Sequence, residues 1–232
     1  MTTIKRTARL TGFAYLGLAI SGMLGYLLVR QQLFVSGDAA ATTANLVEHE
    51  ALARFGIAVD VTVVLTQALA ALWFFRLFRR VQAFAAGAIA AFGLVNAVII
   101  LIAAVFSATA LDVALAHAAS PGDRAATAQL LYELSDAAWN LGGLFFGLWL
   151  IPMGWLAWRS GYMPRLLGWV LVAGGVGYIV STYVVYLAPS LAGSSYALTV
   201  PASVGEFWMV GYLLWKGVGR GLRRSGTGPT TR

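Results

Sequence analysis

Residues 132–165 read YELSDAAWNLGGLFFGLWLIPMGWLAWRSGYMPR, and this run decides the fold. It starts acidic, with Glu133 and Asp136, then carries no charge from Ala137 to Trp158, and ends on Arg159 and Arg165. An uncharged stretch of that length is about what one helix needs to cross the hydrocarbon core of a bilayer, and its flanks carry the charges expected at the two interfaces. Asp136, Asn140, Gly143 and Gly147 recur at helical spacing, so one face holds a carboxylate, an amide and two glycines while the rest is Leu, Phe and Trp. A carboxylate is too costly in lipid to face outward, so this face is expected to look at protein. Pro152 and Gly154 are expected to kink the second half of the helix, because proline lacks the backbone donor.

The whole chain agrees with that reading. Of its 232 residues 59% are hydrophobic and 11% charged, and the mean hydropathy of +0.77 lies outside the range of soluble domains. The net charge of +7 would raise nucleic-acid binding in a soluble protein. Here the basic residues sit in short loops between apolar runs, with no polar domain to carry a basic face, so nucleic acid is not an expected partner and the lipid bilayer is. The absence of cysteine removes disulfides, thiolate metal sites and Cys nucleophiles together.

Six apolar spans follow in order: residues 10–29, 54–78, 83–106, the fourth span within 132–165, 166–187 and 201–215. The first is read as a retained span and not a cleaved signal, because its apolar run is long and the small residues at 39–41 lie well beyond it. Asp38 is expected to cap a short surface helix over the following residues, and Ser120 or Asp123 to cap the fourth span after the break at Pro121 and Gly122. The adjacent Glu48, His49 and Glu50 point in different directions on a helix and make a poor chelate. The expected fold class is all-α: a polytopic membrane helix bundle of six transmembrane helices. Residues 1–218 are read as one transmembrane bundle domain and 219–232 as a basic, disordered cytoplasmic tail.

Thirteen of the sixteen Lys and Arg residues lie before the first span, in the turns 76–80 and 159–165, or after the sixth span; Arg30, Arg54 and Arg124 lie on the other side. By the positive-inside rule both termini are expected to be cytoplasmic, in the cell inner (plasma) membrane.

At about 1.5 Å of rise per residue, Asp60 and Glu206 are each expected roughly 9 Å in from the outer end of their spans, and Asp136 roughly 7 Å in, with Asn140 a turn deeper. Gln67 shares a face with Asp60, Asn96 is expected at a floor roughly 16 Å down, and Tyr178 and Thr182 on the fifth span complete the wall. The expected site is thus an outward-facing polar pocket of Asp60, Gln67, Asn96, Asp136, Asn140, Tyr178, Thr182 and Glu206, with Arg30 and Arg54 as the available cationic partners.

The segments GDAAATTANLVEHEALARFGIAVD (37–60), LFFGLWLIPMGWLAWRSGYMPRLLGWVLVAGGVGYI (144–179) and PASVGEFWMVGYLLWKGV (201–218) resemble the bacterial multi-pass membrane family known as domain of unknown function forty-three eighty-six. The resemblance covers about residues 6–218. It implies a six- or seven-helix bundle and supplies no catalytic residues.

Three readings of the site stay open at this level. In the first the pocket binds a small ligand or cation, as in a receptor, carrier or sensor, the acids forming an anionic wall and the tyrosines cation-π or hydrogen-bonding walls. In the second the buried acids only bridge helices. In the third the chain is a membrane-embedded hydrolase, a reading weakened because both histidines, His49 and His117, lie in loops and no nucleophile or phosphate-binding motif occurs. A metal or cofactor is not specified by any spacing, and the expected state is a monomer or homodimer.

Overall fold

The computed structural model describes residues 3–219. Among them every regular element is helical. The chain forms α1 (Thr3–Met23), continued by a π-helical segment Leu24–Arg30 and one turn α2 (Gln31–Leu33), then α3 (Ala39–Glu48), α4 (Glu50–Phe78), α5 (Ala83–Ala114), α6 (Arg124–Ser160) and α7 (Arg165–Leu187). Short turns including α8 (Ala192–Ser195) lead into α9 (Val200–Trp215). Six of these stretches are long and apolar enough to cross a membrane. Apart from Gly219, the expected tail at 219–232 lies outside the described residues.

Each spanning helix touches the next in sequence, α1 with α4, α4 with α5, α5 with α6, α6 with α7 and α7 with α9, and α9 returns to α1. The bundle is therefore a closed ring, and its middle is filled by Tyr15, Phe74, Phe78, Trp149, Met153, Leu156 and Leu167, all fully buried. Large apolar side chains also cover the outside, Phe84 at 84% and Leu187 at 79% exposed, as a surface solvated by lipid requires.

Local signals act where the sequence places them. The Asp38 carboxylate accepts from Ala41 N at 2.9 Å and starts α3, and that of Asp123 accepts from Ala125 N at 3.1 Å and starts α6. Gly161, at φ +65°, ends α6 in the left-handed conformation that glycine adopts without steric cost. The helix continues through Pro152.

Three differences from the sequence reading matter for the site. First, α4, α5 and α6 outrun the apolar spans on the acidic side: α6 begins at Arg124 and α5 continues to Ala114. These extensions and α3 enclose a second core of Leu33, Leu46, Ala53, Leu111, Ala128 and Tyr132. Depths counted from the ends of the apolar runs thus start from the wrong origin. Second, residues 24–30 are π-helical, which widens the turn, and Val29 and Arg30 are both turned inward. Third, α9 has 16 residues, about 24 Å, and does not start level with the end of α7. The preceding turns descend along α7 until the Leu198 carbonyl sits against Gly177, ten residues inside the end of that helix and closer than any Cβ would permit.

The basic segments gather at one end of the ring. Gly219 N donates to Tyr162 O at 2.9 Å, the Tyr212 hydroxyl donates to the same carbonyl at 3.0 Å, and Gly217 lies beside Lys5. Phe78, at the end of α4, stacks on Tyr162 with centroids 6.3 Å apart.

Candidate functional site: a buried arginine and two aspartates

The polar side chains inside the ring fall into three layers. The outermost centres on Arg30, which is 8% exposed despite its charge. Its Nη2 donates to Ser135 Oγ at 3.0 Å, and Ser135 Oγ is 2.8 Å from Ser107 Oγ, which links the π-helical segment to α6 and α5. Nη1 lies 3.5 Å from Asp136 Oδ1. The other oxygen of that carboxylate accepts from Asn140 Nδ2 at 3.0 Å, one turn along α6. The guanidinium also faces the rings of Tyr132 and Trp139, at 5.6 and 5.8 Å from their centroids.

Asp60 approaches from α4. It is buried, and the α1 backbone passes so close at Gly25 that a Cβ there would stand 3.5 Å from Asp60 Oδ1. Asp60, Arg30, Ser107 and Tyr132 line one small cavity, where a water centre has about 20 Å³ to occupy. That is room for a single water molecule. Arg30 Nη1 has no hydrogen-bond acceptor among the described residues. The geometry is therefore one guanidinium paired with Asp136, with Asp60 from a different helix on the same small cavity and an unsatisfied N–H on the arginine.

Gln67 and Asn96 make the middle layer. Gly93 touches both Ala71 and Trp149. One turn outward from that contact, Asn96 on α5 and Gln67 on α4 come to the same level, because the helices are antiparallel neighbours. Both are buried; neither amide atom of Gln67 has a partner among the described residues, and neither has Asn96 Oδ1.

The innermost layer holds Glu206, whose Oε1 accepts from the Tyr15 hydroxyl at 2.5 Å. Tyr15 is fully buried and stands edge-on to Phe74 and Trp149, with centroids 5.3 and 5.7 Å away. Tyr178 packs against Gly143 and Gly147 and meets the Phe146 ring at 5.1 Å. The Thr182 hydroxyl is satisfied by its own helix, donating to Tyr178 O at 2.9 Å.

The expected wall of three acids at one depth is therefore not formed. Asp136 pairs with Arg30 and Asp60 lies on the same small cavity as Arg30, but Glu206 belongs to a different layer. Its partner Tyr15 lies ten residues before Gly25, the neighbour of Asp60, which puts the two sites about 15 Å apart along the axis. The cause is the descent of residues 189–199, which starts α9 deep in the bundle. Of the two expected cationic partners, Arg30 is at the centre of the site, whereas Arg54 is exposed and bonds Glu50 at 2.6 Å on its own helix. Sequence reasoning missed Ser107, Ser135, Tyr132 and Trp139, whose only signal is helical spacing, and Tyr15, for which there is no signal at all. Among the described residues no three of His, Asp and Glu come together as a metal site.

Comparison with known proteins adds identity without activity. A protein from Archaeoglobus fulgidus described as uncharacterized is 34% identical over 91 residues, which is 34% of this chain and 52% of the relative, so the chain spans about half the length of the curated relative it matches. No solved structure gives a significant match. The model of the family described as Domain of unknown function (DUF4386) matches residues 10–217, nearly the whole of the ring, and the chain belongs to that family.

Proposed function

We propose that this protein is a receptor, carrier or sensor type of membrane protein that binds one small cation at Asp60 and Asp136, where Arg30 stands in as the resident counter-ion. What supports this reading is the charge balance around Arg30, with Asp60 beside it on the small cavity and Asp136 paired with it from another helix. A cation entering between the aspartates replaces Arg30, which can withdraw to Ser135 and to the faces of Tyr132 and Trp139. The π-helical segment that carries Arg30 suits such a movement, since π turns concentrate at functional sites. Gln67, Asn96, Tyr178 and Thr182 lie deeper and are not part of this binding step, and Glu206 with Tyr15 forms a separate polar pair.

The test is thermal stability of the purified protein across a panel of small amines and mono- and divalent cations, for wild type, Asp60→Asn and Asp136→Asn. Stabilisation of wild type by one class, lost in both variants, is the expected result. Identical responses in all three refute the proposal. They favour instead a purely structural cluster, the reading supported by a cavity no larger than one water.

The same proposal places both termini in the cytoplasm and the Arg30 layer toward the outside of the plasma membrane, on the strength of the Lys and Arg distribution. The chain contains no cysteine, so single cysteines at Ser36 and Arg79 can be labelled without background. An impermeant thiol reagent added to intact cells is expected to label the first and not the second, and the reverse pattern overturns the orientation.

A further inference from the structure

A cavity larger than the polar one lies elsewhere on the molecule. It is an open groove on the outside of the ring, formed by α5, α6 and α7 near the arginine-rich end, with about 430 Å³ available to water centres. That is within the range of ordinary small-molecule sites, and well above the room beside Arg30. The groove wall is almost wholly apolar, with Phe84, Phe92, Ile151, Trp155 and Trp169 prominent, and Gln82 as a polar side chain at its mouth. Gln82 Oε1 is already engaged with Ala85 N, capping α5.

The shape has a sequence cause. Gly154 and Gly168 bring α6 and α7 into backbone contact, each occupying the space where a Cβ on the other would collide with a carbonyl. The two helices can therefore touch at the groove floor while Trp158 and Trp169, with rings 5.3 Å apart, stand up as its rim. Pro152 lines the groove and leaves the Leu148 carbonyl, also in the lining, without its ordinary helical donor.

Four arginines neighbour the lining residues in sequence. Arg79 and Arg80 lie in the turn before Gln82, Arg159 follows Trp158 and lies over the Trp155 ring at 4.9 Å, and Arg165 is one turn before Trp169. All four are exposed, and among the described residues none has a carboxylate within ion-pair distance. The chain places no acid in either turn to neutralise them.

We propose that this groove is a site for an anionic phospholipid of the surrounding bilayer, with one acyl chain lying between α5 and α6–α7 and the phosphate held by the arginines of the 79–82 and 159–165 turns. An apolar slot at membrane depth is filled by hydrocarbon whatever the lipid. Unneutralised arginines at its mouth make the choice among lipids electrostatic, as in other basic pockets between transmembrane helices. The tryptophan rim fits the same depth, where indoles sit at the headgroup level.

The experiment uses the full chain in detergent, titrated with phosphatidylglycerol or phosphatidylcholine of the same acyl chains, and counts retained lipids by native mass spectrometry. Wild type is expected to retain phosphatidylglycerol at about ten-fold lower lipid concentration than phosphatidylcholine. The exposed double variant Arg80→Gln/Arg165→Gln is expected to bring the two lipids to parity, and Ala88→Phe, which fills the groove, to reduce retention of both. Inorganic phosphate alone is expected to bind no better to wild type than to the arginine variant. Equal retention of the two lipids by wild type, a preference unchanged by the arginine substitutions, or full retention with the groove filled overturns the proposal. None of these outcomes depends on the cation site at Asp60 and Asp136.

Discussion

Replacing Arg30 with glutamine tests the central claim about the outer layer, that one buried guanidinium is the counter-charge for Asp136, its ion-pair partner, and for Asp60 on the same small cavity. Its bond to Ser135 Oγ at 3.0 Å is a charged hydrogen bond, of a kind that contributes about 1.5–3 kcal/mol. The two aromatic faces add about 0.5–1 kcal/mol each. The ion pair adds little, about 1 kcal/mol at most, because Asp136 is 35% exposed at its side chain and the contact is long at 3.5 Å. The expected loss is about 3–5 kcal/mol, the range found when one member of a buried pair is removed. The sharper test is the sign of a second change. In wild type Asp60→Asn removes a negative charge on the cavity that Arg30 also lines and is expected to destabilise. In the Arg30→Gln background the same change removes a carboxylate left without a counter-charge and is expected to restore about 1 kcal/mol or more. Unfolding in mixed detergent micelles, followed by tryptophan fluorescence for the four proteins of the cycle, measures both. If Asp60→Asn shifts stability in the same direction in both backgrounds, or Arg30→Gln is as stable as wild type, the reasoning fails.

Other parts of the structure give independent expectations. Tyr15→Phe removes the donor to Glu206 and should cost about 1.5–3 kcal/mol in wild type but little in a Glu206→Leu background; equal costs in the two refute the pairing. Gly154→Ala drives a methyl group into the Gly168 carbonyl and should destabilise by about 1–3 kcal/mol. Gly87→Ala on α5, with open space at its Cβ, should instead be neutral or stabilising by up to about 1 kcal/mol, and a matching loss at both positions argues against the α6–α7 contact. Gln67→Leu removes two buried, unpartnered amide atoms and should stabilise by about 1 kcal/mol if the middle layer is dry; a clear loss of stability points to a bound water there and refutes the dry layer.

The number of spans, the all-helical class, the cap at Asp38 and which residues are too polar to face lipid were all legible in the sequence, which left the cap of α6 between Ser120 and Asp123. These follow from composition and from the 3.6-residue period, which are properties of one helix at a time. Arg30 was legible as a candidate cation because it ends an apolar run, and Asp136 with Asn140 as a pair because they are one turn apart on one helix. Depth was not legible. Counting residues from the ends of apolar runs assumes that all helices begin at one level, and α9 does not: turns that descend past Gly177 carry Glu206 about 15 Å away from Asp60 along the axis. Nor could any spacing rule reveal that Tyr15 meets Glu206, 191 positions later, since that contact exists only because the ring closes α9 onto α1. The tertiary structure decided which of the buried polar groups share a site, because that depends on the vertical offset and rotation of one helix against another, which helical periodicity leaves free.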